Sequence, residues 1–252
     1  MYLLRSSPSR WFQIFVWFIV DLVIWGFVTK YLSGIGTQFN FLAVLLGAVV
    51  LWGFVARVQQ GVMMAFLEDV WSRNFANLFA TPLTVAEYLT GMIVSGALTS
   101  LSVLVCITFL AYLLFGFSLL SLGITLIPFL VVLFLFGIVL GIVAAAVVLR
   151  FGPSSEWFVW AFSAIANPFV GVFYPIEVLP DWMQMIARLL PPSYVFEGMR
   201  EVIHAETFST EALIVSSGLS LVYIAGAYAL FASVHRFVTR TGLIARFSAE
   251  SI

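Results

Sequence analysis

The sequence is poor in charge. Of its 252 residues, 11 are basic and 12 acidic, 9% in all, against about 25% in an ordinary soluble domain. Hydrophobic residues make up 63% and aromatic residues 17%. So few charges cannot cover a surface facing water, so most of the exterior must face lipid. The formal net charge of −1 leaves no basic footprint for nucleic acid. Lysine occurs once, as Lys30, and Tyr31 follows it. A phosphate-binding loop of the form G-x-x-x-x-G-K-[ST] is therefore excluded, and with it a P-loop ATPase site within this chain. Cys106 is the single cysteine, so no internal disulfide can form. His204 and His235 are too far apart in sequence to suggest a metal centre. No G-x-S-x-G turn or other catalytic constellation is found. The acids Glu177, Asp181, Glu197, Glu201, Glu206 and Glu211 read as a solvated face rather than paired acid/base chemistry. The chain is expected to bind no metal or cofactor of its own.

What is present is a series of long apolar runs punctuated by charge. The longest uncharged stretch, Tyr88 to Leu149, covers 62 residues. As one helix it would extend roughly 90 Å, about three times the bilayer core, so it must fold back. Gly116, Ser118, Ser121 and Gly123 mark the turn. The pattern predicts an all-α, polytopic membrane protein in a single transmembrane domain over 1–252, with spans at about 11–29, 39–67, 88–115, 124–149, 157–173 and 212–234. The first run is too long for a signal peptide and lacks a small-x-small cleavage site, so it reads as a retained anchor. With six spans and an inner N-terminus, Arg5, Arg10, Arg73, Arg150, Arg236, Arg240 and Arg246 lie inside, and Lys30, Arg188 and Arg200 outside. The excess of inner arginines predicts that both termini are cytoplasmic.

Two segments do something other than cross lipid. In the inner segment 68–87, Glu68 and Asp69 are read as opening a short helix, since acids favour an N-terminus. Trp71, Phe75, Leu78 and Phe79 recur at helical spacing, and Arg73 lies on another face. Pro82 limits this helix, and Thr84 with Glu87 forms a T-x-x-E capping box that starts the next. Such an amphipathic helix rests in the headgroups or docks its aromatic side chains into a partner. In the outer segment 174–211, Pro175, Pro180 and Pro191-Pro192 delimit two short helices. The first, near 180–190, aligns Trp182, Ile186, Leu189 and Leu190. The second, near 193–206 with Ser193 as N-cap, aligns Val195, Met199, Val202 and Ile203.

Polar residues inside the spans are few. Asp21 and Arg57 both fall roughly 15 Å from the inner surface by residue count. They are read as an ion pair locking the first two spans, since an isolated charge in lipid is costly. Separate snorkelling and a substrate contact are the alternatives. Asn167-Pro168 predicts a kink in the fifth span. Gly137 and Gly141 form a G-x-x-x-G face, extended by Ala144 and Ala145, suited to close helix contact within the bundle or between subunits.

The order of these pieces resembles the permease subunits of ABC-2 type exporters. The resemblance is carried by the acidic, amphipathic segment ending in Thr81-Pro82-Leu83, by Phe173-Tyr174-Pro175-Ile176-Glu177-Val178-Leu179-Pro180-Asp181-Trp182, and by Pro191-Pro192-Ser193-Tyr194-Val195-Phe196-Glu197-Gly198-Met199-Arg200. It implies a dimer of permease subunits in the bacterial inner membrane, served by separate ABC ATPase subunits that use ATP and Mg. It implies that Glu68, Asp69, Trp71, Arg73, Phe75, Leu78 and Phe79 belong to a coupling helix that docks on the ATPase. The outer helices, with Pro175, Glu177, Pro180, Trp182, Pro191, Tyr194, Glu197 and Arg200, would be reentrant elements near the exit of the path. The substrates it implies are polysaccharides, lipids and drugs leaving the cytoplasm. A secondary transporter or channel is the alternative, which the scarcity of buried charge disfavours.

Overall fold

The computed structural model describes residues 8–34, 42–72, 81–118, 126–205 and 209–243. Among them the regular structure is entirely helical: α1 (Pro8–Ser33), α2 (Gly47–Trp71, opened by a π-turn at Leu42–Leu46), α3 (Val85–Phe115), α4 (Leu126–Phe151), α5 (Glu156–Val170), α6 (Asp181–Ala187), α7 (Pro191–Ala205) and α8 (Thr210–Arg240). Short 3-10 turns, Pro153–Ser155 and Ile176–Val178, precede α5 and α6. Four helical stretches are long and apolar enough to cross a membrane: Val44–Trp71, Val85–Phe115, Leu126–Phe151 and Thr210–Arg240. Helices also occupy the remaining two predicted positions, α1 with 26 residues and α5 with 15.

The core forms around α2, which packs along α3 and α4, while α8 lies against α4 and α7. Both α2 and α4 are buried around most of their circumference, with Leu51, Val55, Val58, Val62 and Phe66 of α2 and Leu133, Ala144, Ala145 and Leu149 of α4 fully enclosed. By contrast, α3 and α8 expose broad apolar faces, among them Val105, Phe109 and Leu113, and Ile214, Leu221 and Val222. A helix can expose such faces stably only where the surroundings are themselves apolar.

Small residues set the spacing. A Cβ on Gly137 would lie 2.6 Å from Val58 Cβ, and one on Gly141 2.7 Å from Val62 Cβ. The G-x-x-x-G face is therefore spent on packing α4 against α2 within the subunit. Toward α3, a Cβ on Gly61 would stand 2.8 Å from Gly96 Cα, so α2 and α3 approach backbone to backbone.

Local signals fix the ends. Thr84 and Glu87 form the expected capping box: the Glu87 amide donates to Thr84 Oγ1 at 3.3 Å and the Thr84 amide to Glu87 Oε2 at 2.8 Å. Gly116 ends α3 in the left-handed region, at φ 67°, a conformation that costs glycine little. Pro168 lies in the last turn of α5, which stops at Val170 with Gly171 also left-handed, at φ 68°. Hydroxyls in the apolar helices are satisfied by the preceding turn, as where Ser220 donates to the Ser216 carbonyl at 2.8 Å.

Two expectations are corrected. Glu68 and Asp69 do not open a helix; they lie in the last turn of α2, whose C-cap is Ser72. Burial of Phe66, Leu67 and Val70 carries α2 on, and this outweighs the unfavourable placement of two acids at a C-terminus. Ser193 is not an N-cap: α7 begins two residues earlier at Pro191. Proline suits a first turn because the missing amide has no partner there. The Ser193 hydroxyl is buried instead, without a hydrogen bond among the described residues.

Candidate functional site

The end of α2 and the Arg200 side chain of α7 lie at opposite ends of α5. At the start of α5, the last turn of α2 is bonded to two other helices. Tyr88, in the first turn of α3, donates its hydroxyl to Asp69 Oδ2 at 2.9 Å. Its ring is buried against Phe231 of α8, centroid to centroid 6.2 Å. Trp71 donates its indole N–H to Oε1 of Glu156, the first residue of α5, at 2.9 Å. Close by in sequence to these elements, Arg150 at the end of α4 stacks 3.9 Å over the Phe237 ring of α8. Of the predicted docking residues, Glu68, Asp69 and Trp71 are thus at the end of α2. Arg73, Phe75, Leu78 and Phe79 lie outside the described residues.

At the other end the irregular turn after α5 is held by a clasp from α7. The Arg200 guanidinium, 8% exposed, donates through Nη2 to the Gly171 carbonyl, to the Tyr174 carbonyl at 2.8 Å and, at 3.4 Å, to that of Val172. Its Nη1 stands 2.9 Å from Glu197 Oε1, and the same oxygen accepts the Ile176 amide at 2.8 Å. One planar cation thereby satisfies carbonyls of the C-cap of α5 and of the turn that follows it. Burial pushes the Arg200 guanidinium below its usual range, and the adjacent Glu197 carboxylate opposes that shift.

The remaining predicted outer residues frame this clasp. Pro175 and Pro180 are the caps before the 3-10 turn and α6. Tyr174 donates its hydroxyl to the Pro168 carbonyl at 2.7 Å, and Tyr194 to that of Arg188 at 2.8 Å. Trp182 meets Phe169 edge to face at 6.2 Å. Glu177 is exposed. The observed α6 is shorter than predicted, Asp181–Ala187, and leaves Trp182, Ile186 and Leu189 exposed with Leu190 half-buried. Of the predicted α7 face, Val195 and Met199 are fully buried. Gln184 was missed in the sequence. Its amide donates to the Leu179 carbonyl at 2.8 Å, a bond across a proline-bounded turn that no spacing rule announces.

Within the bundle, Asp21 of α1 and Arg57 of α2 lie close enough for each charge to act on the other. Among the described residues no cluster of side chains suited to a metal ion occurs.

Exposed apolar helices around a buried pair define a polytopic α-helical membrane protein. The family model of the ABC-2 type transporters matches residues 4–204, and the chain belongs to that family. It is an ABC-2 type permease, a transmembrane domain and not an ATPase. No curated protein matches the chain.

Proposed function

We propose that this chain is the transmembrane subunit of an ATP-driven exporter. Two such subunits form the path, and a separate ABC ATPase supplies the energy. On this reading α1, α2, α3, α4, α5 and α8 cross the inner membrane, both termini are cytoplasmic, and the segment 68–82 meets the ATPase. Nucleotide-driven closure moves that segment and shifts the bundle between inward- and outward-open states. The turn after α5, α6 and α7 dip into the outer leaflet beside the exit. An amphipathic cargo, lipid-linked, polysaccharide-type or drug-like, suits the aromatic-rich helices.

The observation that carries this reading is the family match over 4–204, which spans both the inner segment and the outer hairpin. The sequence agrees with it: these 252 residues hold no P-loop, so the ATPase site lies outside them. The test is co-purification with an ABC ATPase from the native membrane, followed by ATP hydrolysis in nanodiscs. Replacing Trp71 and Phe75 together by alanine is expected to weaken the association about tenfold or more, as loss of aromatic anchors does. Undiminished association and hydrolysis would refute the docking assignment.

A further inference from the structure

The inner network and the outer clasp share one helix. Glu156, which accepts the Trp71 indole N–H, is the first residue of α5. Gly171, whose carbonyl accepts from Arg200, is its C-cap. Fifteen residues separate the two ends as a single helix, roughly 22 Å of rigid rod. The inner anchor is itself a closed frame. Asp69 and Tyr88 are joined across the connection between α2 and α3, so the end of α2 and the start of α3 are tied to each other.

We infer that α5 is the rod that carries a displacement of the inner segment to the outer hairpin, with Glu156 as the positioning residue that engages it. Trp71 precedes the C-cap of α2 by one residue, so whatever moves Ser72 and the segment after it moves the indole. The indole pulls on Glu156 at the start of α5. At the far end, the carbonyls of Gly171, Val172 and Tyr174 are held by Arg200, so axial movement of α5 is handed to α7. The Tyr174 hydroxyl on the Pro168 carbonyl stiffens the junction. Sequence neighbours alone would not do this: the Trp71–Glu156 contact joins residues 85 apart. It also bypasses the crowded α2–α4 interface, where glycine contacts leave no room for sliding.

This inference rests on the reading of the chain as an ATPase-driven permease, and the experiment separates the two. The complex with its co-purified ATPase is placed in nanodiscs, with Cys106→Ser and an environment-sensitive fluorophore on Leu189→Cys, a position 60% exposed beside the hairpin. Vanadate trapping of Mg-ATP is expected to shift the emission at position 189. Glu156→Ala removes the acceptor; Glu156→Gln loses the charge but keeps an acceptor oxygen. The shift is expected to fall about threefold or more in Glu156→Ala and to survive in Glu156→Gln, with ATPase association and thermal stability retained in both. A merely structural role for Glu156 would not separate the fluorophore's response from stability in this way. An equal shift in wild type and Glu156→Ala, or no shift in the wild type, would overturn the inference. Failure of any ATPase to co-purify with the wild type would instead overturn the underlying function.

Discussion

Single residues carry well-separated burdens in this molecule. Arg200 is the clearest, because its guanidinium serves three carbonyls and a carboxylate at once. Arg200→Met keeps an unbranched apolar stem, removes the guanidinium and with it all of these bonds. It is expected to destabilise the protein by about 3 kcal/mol, the usual cost of breaking a buried, hydrogen-bonded charge. Arg200→Lys should recover little, since an ammonium cannot reproduce the planar fork. Thermal unfolding in detergent checks both, and a Tm for Arg200→Met within about a degree of wild type would contradict the clasp. Glycines offer a paired comparison. Gly137→Ala pushes a methyl group to 2.6 Å from Val58 Cβ, and overpacking of this kind costs about 1–3 kcal/mol. Nothing lies within 4 Å of a Cβ on Gly91, so Gly91→Ala is expected to be neutral or to stabilise by about 0.5–1 kcal/mol, alanine being the better helix former. The two melting temperatures should move in opposite directions or differ by several degrees.

At the scale of elements, the charge-free gaps located the helices well, because a bilayer penalises charge and its thickness limits length. The turn at Gly116 and the Thr84–Glu87 box were legible since each is built from residues within six positions of one another. The end of α2 was not. Whether Glu68 and Asp69 begin a helix or end one depends on burial of Phe66, Leu67 and Val70 by helices remote in sequence, and local charge preference points the other way. The partners of Asp69 and Trp71, Tyr88 and Glu156, were likewise hidden, being 19 and 85 residues distant. The outer motif was legible as residue types: Glu197 and Arg200 both fell within it. Their real targets are main-chain groups 21 to 29 residues upstream, and every residue has a carbonyl, so no sequence signal marks those that need a donor. Between α1 and α2, the charges of Asp21 and Arg57 act on one another, and their pairing is proposed. Asp21→Arg and Arg57→Asp should each lower the yield of folded protein, and the double exchange should restore most of it. Monodisperse yield on size exclusion measures this, and a double variant no better than either single would exclude the pair.

For the whole molecule, buried α2 and α4 form a stiff centre, while α3 and α8 present apolar faces outward. At the start of α5 several helices are tied together by side chains, and beyond its C-terminal end one arginine gathers the chain. On the proposed function of this ABC-2 family chain, the segment following α2 faces the cytoplasm, where a separate ATPase would dock. The most direct measurement is labelling of Ser72→Cys, in a Cys106→Ser background, with a membrane-impermeant maleimide. Ser72 is exposed, so failure to react cannot be blamed on burial within the subunit. Labelling in inverted vesicles and protection in intact cells is the predicted result, with purified ATPase slowing the reaction. Labelling from outside intact cells would contradict the account.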